Sequence, residues 1–518
     1  MRALDVARPD LTSFVPVGEV VASTARSYGD KAALICDTTV VTWRELGTRI
    51  DRAAARLQTA GVGVGANVAL LSPTTVEGVI GFLASIRAGA CIVPLPTSAT
   101  PGQLHVMLDD CKAQAVLAAP PHHALADSAL QRNVAHRFSL GPATTTWGAL
   151  ENGTKVQFVA PAIGPDTPFN IIYSSGTTGS PKGIVQDHSV RWYQNVPPVD
   201  AKPEDGAVIL VSTPLSSNTT IGGGLLRGLC TGGALVLMPK FDAGLFLSLC
   251  MAHGVTQASL VPVQCQRLLA HPDFDRTDLS RVALRCTGAP ASIALKRELI
   301  ERWRGPIADS YGFTELAIGC VLDLRAFPEK LHTIGRPRPG VDMRIVGKDG
   351  REVLTGEAGE LAGRAATMMN GYWNQPDATQ ALIWRDAEGR GFYRSSDVAM
   401  IDPDGFITLL GRTRDMIISG GLNIYPADLE GVLSSHPQVA EAVVIGIPSP
   451  EWGETPLGLV AVRESATITP DALRAWANAQ LGRTQKLSAL EFRAEFPRNE
   501  LGKILKRELR APFWAAAH

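Results

Sequence analysis

A short segment near the middle of the chain is rich in groups that bind phosphate. Residues 173–183 read Y-S-S-G-T-T-G-S-P-K-G and contain five Ser or Thr hydroxyls, three glycines and one lysine. Glycines let backbone N–H groups converge on an anion, hydroxyls add donors, and a lysine adds a point charge. The order differs from the G-x-x-x-x-G-K-[ST] pattern of P-loop proteins, and an ordinary turn needs neither this hydroxyl density nor a lysine. The segment therefore predicts a phosphate-binding loop formed by Ser174, Ser175, Gly176, Thr177, Thr178, Gly179 and Lys182.

That loop resembles the phosphate-loop signature of the adenylate-forming superfamily, which contains acyl- and aryl-CoA synthetases, beetle luciferases and adenylation domains of nonribosomal peptide synthesis. Further motifs of the family follow in its order as far as Arg507. The resemblance implies an AMP-forming acid–thiol ligase. In such an enzyme ATP, with Mg²⁺, converts an aliphatic or aromatic carboxylic acid to an acyl-adenylate, and coenzyme A then takes the acyl group.

Two segments between residues 287 and 315 resemble the adenine and phosphate region of that family. In S-Y-G-F-T-E, residues 310–315, the resemblance implies that Tyr311 stacks on adenine, Thr314 hydrogen-bonds the α-phosphate and Glu315 binds magnesium. The chemistry agrees, because Mg²⁺ prefers carboxylate and phosphate oxygens and an aromatic face suits a purine. Upstream, T-G-A-P at 287–290 resembles the small-residue segment beside the adenine and the acyl group. The cofactor-binding residues implied here are Gly288, Ala289, Pro290, Asp309, Ser310, Tyr311 and Gly312.

Downstream, two further motifs concern the ribose and the junction between domains. Y-R-S-S-D at 393–397 is similar to the family's Y-R-T-G-D, which implies that Asp397 accepts hydrogen bonds from the ribose hydroxyls. Serines replace Thr-Gly but leave the aspartate in register. G-R-T-R-D at 411–415 is similar to the inter-domain hinge, with Arg412 at the ribose and Arg414 at the residue whose backbone torsions change.

The resemblance implies that the C-terminal region presents a different face to the active site in each half-reaction. The loop S-G-G-L-N-I-Y-P resembles the segment that approaches the pantetheine arm in the second step, and Gly420 and Gly421 would permit that approach. P-R-N-E-L-G-K, ending at Lys503, is similar to the family's segment with the adenylation lysine. A carboxylate that attacks the α-phosphate brings two anions together, and a mobile ammonium offsets the developing charge. The catalytic residues implied are Lys503, Thr314 and Glu315.

The acid-binding segment departs from the family. Residues 213–219 read T-P-L-S-S-N-T, where many relatives carry an aromatic residue or histidine that gates the acyl site. Ser217 and Asn218 are the substrate-binding candidates, with a turn-forming role for Asn218 as the alternative. Small and apolar residues around 222–224 and 316–319 favour an uncharged acyl or aryl tail over a dicarboxylate.

These residues need a scaffold of parallel strands and helices. Apolar runs of four to seven residues alternate with amphipathic stretches, which favours an α/β fold with mostly parallel sheets covered by helices. We expect a large N-terminal AMP-binding domain over 1–411, a hinge at 412–414 and a small mobile C-terminal α/β domain over 415–518. The expected elements include strands at 68–71, 90–94, 115–119, 169–173, 207–212, 234–238, 257–261, 440–447 and 459–463, and helices at 43–59, 244–253, 294–304, 426–435 and 469–481.

Composition restricts the class of partner. The 518 residues carry 49 Lys+Arg and 50 Asp+Glu, a formal net charge of -1, so no basic field is expected to hold nucleic acid. Eight cysteines without a C-x-x-C pair predict buried reduced thiols in the cytoplasm. No stretch has the roughly 20 apolar residues of a membrane span. A homodimer is kept as an option for assembly.

Two alternatives remain open. One is a stand-alone adenylation enzyme that loads a carrier protein, although the acidic residue that would bind an α-amino group is not evident near Ser216. The other is a non-catalytic nucleotide-binding relative. A binding protein has no use for an adenylation lysine, so the combination of Lys503, Glu315 and Asp397 favours an enzyme.

Overall fold

The computed structural model describes most of the chain. The described residues are 3–4, 11–130, 134–151, 156–174, 181–196, 206–413, 415–419, 422–482, 486–499 and 502–515.

Two large sheets form the centre of the N-terminal lobe. In the nine-stranded sheet, six adjacent strands run parallel and the edge strands are antiparallel. The eight-stranded sheet likewise has six parallel strands. Parallel strands need helical crossovers and are covered on both faces, which explains why their sequences are almost continuously apolar. In spatial order the nine strands are Arg336–Pro337, Ala317–Asp323, Ile307–Phe313, Ala283–Thr287, Gln257–Leu260, Val208–Val211, Ala234–Leu237, Ala32–Cys36 and Thr39–Thr42, and the eight are Gly371–Tyr372, Lys182–Asp187, Pro168–Ser174, Cys91–Pro94, Asn67–Leu71, Ala115–Ala118, His136–Ser139 and Gly148–Ala149.

One apolar core joins the two sheets. It contains Leu34 and Leu235 from the nine-stranded sheet, Val68 from the eight-stranded sheet, and Trp43 and Phe82 from helices between them, all fully buried. The two sheets therefore behave as one rigid support for the loops at their strand ends.

Helices cover the sheets and begin at recognisable caps. Thr42, Thr75 and Thr100 each accept a hydrogen bond from a backbone N–H in the first turn of the helix that follows. The helices are Val17–Tyr28, Trp43–Thr59, Val76–Arg87, Pro101–Cys111, His123–Ala129, His188–Asn195, Asn218–Thr220, Leu226–Thr231, Ala243–His253, Pro262–Leu269, Ile293–Arg302, Pro376–Ala381, Pro426–Ser434, Pro470–Gln480 and Lys506–Ala515, with a π-helical turn at Ile221–Leu225 and 3₁₀ turns at Pro120–His122, Phe274–Arg276 and Pro328–Lys330.

Two five-stranded sheets complete the fold. The third sheet closes the N-terminal lobe and the fourth forms the C-terminal lobe, which has its own apolar core around Leu429, Val460 and Leu473. The chain passes from one sheet to the other between Arg412 and Ile417. The strands of the third sheet are Val341–Val346, Gly359–Ala365, Gly391–Ile401, Ile383–Arg385 and Ile407–Arg412, and those of the fourth are Leu422–Ile424, Ile417–Ser419, Gly453–Val462, Val439–Ser449 and Ala489–Phe492.

The predicted α/β fold, with a large N-terminal and a small C-terminal lobe, is confirmed. The division at 411, 412–414 and 415 stays a prediction. All eight cysteines are buried and none forms a disulfide, as expected. Within the described ranges, none of the helices has the length and apolar character that crossing a bilayer requires.

Candidate active site

One large cleft contains most of the residues singled out in the sequence. Its volume is about 3310 Å³, and its walls include Lys182, Thr314 and Asp397 of the large lobe and Lys503 of the small lobe. Pockets for a single drug-sized ligand measure roughly 300–1,000 Å³. The cleft therefore has room for a nucleotide and a second substrate together.

The carboxylate of Asp397, which has two fixed partners, lies where the ribose is expected. Asp397 is 6% exposed; its Oδ2 accepts a hydrogen bond from the Tyr311 hydroxyl at 2.5 Å, and its Oδ1 lies 3.0 Å from Arg412 Nε. The Asp397 N–H donates to Ser395 Oγ at 3.0 Å. Antiparallel pairing of Asp397 with Arg412 brings these two side chains together. Burial, and then the Asp397 charge, raise the pKa of Tyr311 well above its ordinary value, so its hydroxyl stays a donor.

The serine that replaces the family's glycine adopts an unusual backbone conformation. Ser396 has φ 62°, in the left-handed region that glycine occupies without cost. Its N–H donates to Glu360 Oε1 at 3.1 Å and its carbonyl accepts from the Thr413 N–H at 2.9 Å. These bonds hold the strained residue and keep Asp397 directed at the cleft.

The predicted adenine contact, Asp309, has a partner that sequence reasoning missed. Asp309 Oδ2 lies 2.6 Å from Lys296 Nζ, and both residues are buried. Lys296 also donates to the carbonyl oxygens of Leu331 and Thr333, each at 3.0 Å. All three ammonium donors are therefore satisfied. Asp309 lines the cleft, but its carboxylate is engaged by the lysine.

The small-residue segment beside Asp309 also lines the cleft. Gly288, Ala289 and Pro290 contribute to its wall, as do Ser310 and Gly312. Gly288 has φ 86°, and a Cβ added there would lie 3.2 Å from Val261 Cγ1. A larger residue would be strained at this position and would narrow the cleft.

Glu315, the proposed magnesium ligand, and Lys182, the phosphate-loop lysine, both contact Tyr372. The Tyr372 hydroxyl donates to Glu315 Oε1 at 2.8 Å, and Lys182 Nζ lies 4.9 Å from the centre of the Tyr372 ring. Antiparallel pairing of Tyr372 with Ile184 places the tyrosine beside the lysine. Sequence reasoning missed Tyr372, because only strand pairing reveals that it lies between these two residues. Thr314 directly precedes Glu315 in the turn after the strand Ile307–Phe313, and it lines the same cleft.

Several predicted residues lie outside the described part of the chain. These are Ser175, Gly176, Thr177, Thr178, Gly179, Arg414, Gly420 and Gly421. Ser174 is the last residue of the strand Pro168–Ser174, so the predicted phosphate loop begins where that strand ends.

Lys503 reaches the cleft on a tight turn of the small lobe. The Lys503 N–H donates to Asn499 Oδ1 at 2.9 Å, and the Asn499 N–H donates back to the Lys503 carbonyl at 3.0 Å. Gly502, with φ 73°, lies so close to the large lobe that an added Cβ would be 2.6 Å from Val263 Cγ1. The glycine therefore allows the turn to seat the lysine against the large lobe.

The acid-binding candidates lie on the helical segment that crosses the cleft. Ser217 caps its start, because Ser217 Oγ accepts from the Thr220 N–H at 3.1 Å. The Asn218 side-chain oxygen is buried without a hydrogen-bond partner among the described residues. Gly222 and Gly223, in the π-helical turn, leave the wall of the cleft open at this end.

Comparison with known families agrees with this geometry. Residues 21–373 match the AMP-binding enzyme model, and residues 428–503 match the model of the AMP-binding enzyme C-terminal domain. The chain belongs to the AMP-binding enzyme family. Asp397 and Arg412 of this AMP-binding enzyme lie between the two matched segments. Their assignment to the ribose site is supported by the ion pair that they form with each other and by the motifs around them.

Two relatives of this AMP-binding enzyme are named as a CoA synthase and a CoA ligase. It is 36% identical to a feruloyl-CoA synthase of Amycolatopsis sp, over 92% of this chain and 94% of the relative. It is 30% identical to an indoleacetate–CoA ligase of Aromatoleum aromaticum, over 91% and 92% of the two chains. Among solved structures, the amide bond synthetase McbA from Marinactinospora thermotolerans is similar with a TM-score of 0.86 and 26% identity, covering 96% of this chain and all (100%) of that one.

Proposed function

We propose that this AMP-binding enzyme is an AMP-forming acid–CoA ligase that activates an aromatic or aliphatic carboxylic acid. The observation that carries the proposal is that Lys503 of the small lobe lines the same cleft as Lys182, Glu315 and Asp397 of the large lobe. A nucleotide-binding protein without activity would need the last three residues but not the lysine. The names of the relatives, feruloyl-CoA synthase and indoleacetate–CoA ligase, support CoA as the acceptor.

In the first half-reaction the acid's carboxylate oxygen attacks the α-phosphorus of ATP. A P–O bond forms to the acid, the bond to the β-phosphate oxygen breaks, and pyrophosphate leaves. Asp397 and Arg412 hold the ribose, Tyr311 contacts the adenine, and Thr314 hydrogen-bonds the α-phosphate. Lys503 and Lys182 offset the negative charge that two approaching anions create, which is the main electrostatic barrier to the step.

Magnesium fits the donor set at Glu315. Its carboxylate is a hard oxygen donor, the Tyr372 hydroxyl fixes one of its oxygens at 2.8 Å, and the Lys182 ammonium lies 4.9 Å from the centre of the same tyrosine ring. Mg²⁺ is commonly bound by one or two carboxylates together with substrate phosphates. When bound, the ion supplies positive charge to the phosphate oxygens.

In the second half-reaction the sulfur of CoA attacks the acyl carbon and AMP leaves. We infer that the small lobe rotates about Arg414 between the steps, so that the Gly420-Gly421 face replaces the Lys503 face at the cleft. The small lobe has its own apolar core, which would allow it to move as a body. We also propose a reducing, cytoplasmic location, because all eight cysteines are buried thiols and none forms a disulfide.

The test follows both half-reactions separately. With a panel of aromatic and aliphatic acids, the enzyme should release pyrophosphate and, with CoA present, form a thioester. Lys503→Ala should lower pyrophosphate release by at least about 100-fold, the size expected for a transition-state contact, yet still convert a supplied acyl-adenylate to thioester. Lys486→Ala, which removes an exposed lysine of the same lobe, is the matched control.

Three results would contradict the proposal. Thioester formation with a carrier protein but not with CoA would show that the protein is an adenylation enzyme that loads a carrier protein. An enzyme that binds ATP but activates no acid would be a nucleotide-binding relative. An equal loss of rate in both half-reactions of Lys503→Ala would contradict the proposed rotation of the small lobe.

A further inference from the structure

The strand that carries Asp397 contains a bulge at this residue. On the neighbouring antiparallel strand Glu360 lies opposite Val398, and Ala362 lies opposite Arg394. Between these two pairs the neighbouring strand advances by two residues, whereas the strand with Asp397 advances by four. Bulges occur frequently beside active sites, where they change the direction in which a side chain points. The extra residues of this bulge therefore set the direction of the Asp397 carboxylate.

Hydrogen bonds to side chains fix the backbone of the bulge. Ser395 Oγ donates to the Leu361 carbonyl at 2.8 Å and accepts from the Asp397 N–H at 3.0 Å. The Ser396 N–H donates to Glu360 Oε1 at 3.1 Å. Glu360 thus satisfies the backbone donor of the residue that directly precedes Asp397.

The Glu360 carboxylate is itself held in one orientation. Its second oxygen, Oε2, accepts from Arg394 Nε at 2.8 Å and from Arg394 Nη2. The Glu360 side chain is 15% exposed, so this carboxylate is largely removed from water. Arg394 lines the cleft, and among the described residues of the cleft wall Glu360 is not included. Glu360 can therefore influence a bound nucleotide through the bulge but not by touching it.

The serine at position 396 makes this bond more important than it would be beside a glycine. Ser396 has φ 62°, and a residue with a Cβ loses energy in this left-handed region. A strained conformation of this kind persists where surrounding bonds compensate for its cost. Glycine, which the family's motif has here, adopts the same conformation without cost. The bulge of this chain consequently depends on the acceptor that Glu360 supplies.

We propose that Glu360 is a positioning residue for recognition of the ribose hydroxyls, because it holds Ser396 in the conformation that directs Asp397 at the cleft. This proposal rests on the proposed function, in which Asp397 binds the ribose. Loss of the Glu360 bond would let Ser396 leave the left-handed region, and Asp397, as the next residue, would turn with it.

The experiment measures the Kd of ATP and of 2′,3′-dideoxy-ATP, which lacks both ribose hydroxyls, by isothermal titration calorimetry without acid. The wild type should bind ATP at least about 10-fold more tightly than the analogue, the size of one hydrogen bond to a charged group. Glu360→Ala should weaken ATP binding about 10-fold and binding of the analogue less than about threefold, since the analogue lacks the groups that Asp397 binds. A general loosening of the fold would weaken both nucleotides equally.

Two further variants separate the bond to Ser396 from the ion pair with Arg394. Glu360→Gln retains an oxygen that can accept from the Ser396 N–H but loses the negative charge, so ATP binding should weaken less than about threefold. Adding Ser396→Gly to Glu360→Ala should restore ATP affinity at least about threefold, because glycine adopts φ 62° without the bond.

The matched control removes another glutamate of the same region of the fold. Glu352 is paired with Arg344 at 2.9 Å and bridges to Val346 of the third sheet. Glu352→Ala should therefore change the Kd of neither nucleotide.

The outcomes distinguish this proposal from the proposed function. Equal weakening of both nucleotides in Glu360→Ala, an equal loss in Glu360→Gln, or no recovery with Ser396→Gly would overturn the positioning role alone. A wild type that binds ATP and the analogue equally would overturn the ribose role of Asp397, and the positioning role with it. An enzyme with the expected nucleotide selectivity that activates no acid would instead overturn the ligase activity and leave the positioning role supported.

Discussion

Replacing Lys296 with methionine tests whether the buried ion pair beside the cleft is a structural requirement. Lys296 is 3% and Asp309 6% exposed, and the Lys296 ammonium binds the Asp309 carboxylate at 2.6 Å. It also binds the carbonyls of Leu331 and Thr333 at 3.0 Å each. Methionine retains most of the side-chain length, so the substitution removes the charge and the three hydrogen bonds while much of the packing remains.

The expected loss follows from what the substitution leaves behind. Asp309 would remain buried with its charge unpaired, and two carbonyls would lose their donor. Breaking a buried pair by removal of one partner costs about 3–5 kcal/mol, whereas replacing both partners with apolar groups is often close to neutral. We therefore expect Lys296→Met to lower the free energy of unfolding by about 3–5 kcal/mol, and the double variant Lys296→Met/Asp309→Leu to lower it less than the single variant does.

Urea unfolding followed by tryptophan fluorescence measures both effects, since Trp303 is fully buried in the same part of the core. The double-mutant cycle, completed with Asp309→Leu, should give a coupling of at least about 2 kcal/mol. The reasoning is refuted if Lys296→Met costs less than about 1 kcal/mol or if the two single effects simply add.

Three further variants test the tyrosine beside Glu315, a buried histidine and the strained serine. Tyr372→Phe removes the hydroxyl that fixes Glu315 but keeps the ring beside Lys182, so the Mg²⁺ concentration for half-maximal activity should rise about 10-fold; an unchanged magnesium titration would contradict this. Burial lowers the pKa of His188 to about 4, so the histidine stabilises the fold fully above pH 6.5 and this contribution is lost as the pH falls towards 4. The free energy of unfolding of the wild type should therefore decrease by about 3 kcal/mol more than that of His188→Gln between pH 7 and pH 4, and parallel pH profiles would count against it. Ser396→Gly should raise the free energy of unfolding by about 1 kcal/mol, because φ 62° costs a serine energy that glycine does not lose and glycine keeps both backbone hydrogen bonds of this residue; a destabilised variant in thermal unfolding would contradict this.

Much of the parallel core was predictable because buried strands and amphipathic helices have strong periodic patterns. The expected helix at 43–59 coincides with Trp43–Thr59, and the expected strand at 115–119 differs from Ala115–Ala118 by one residue. The third sheet was not predicted, since its strands contain glycine and charged residues, and part of their burial comes from distant residues such as Ile184 and Cys320 of the two large sheets. Gly359–Ala365, with the sequence G-E-L-A-G-R-A, is an example.

In the candidate site, too, some residues could be predicted from the sequence and others could not. Motif residues such as Glu315 and Asp397 could be placed by their sequence context. Their partners could not, because Tyr372 reaches Glu315 only through strand pairing and Lys296 reaches Asp309 from a separate helix.

The contact between the lobes is suited to reversible motion. On the small lobe the turn with Lys503 touches the large lobe through Gly502, where a side chain would collide with Val263. The small lobe's apolar core is formed by its own residues, among them Ile417, Leu429 and Leu473. Separation of the lobes would therefore expose little of either core, and its free-energy cost would be small compared with unfolding. Such a contact is compatible with the proposed rotation, in which Lys503 takes part in the first step and leaves the cleft for the second.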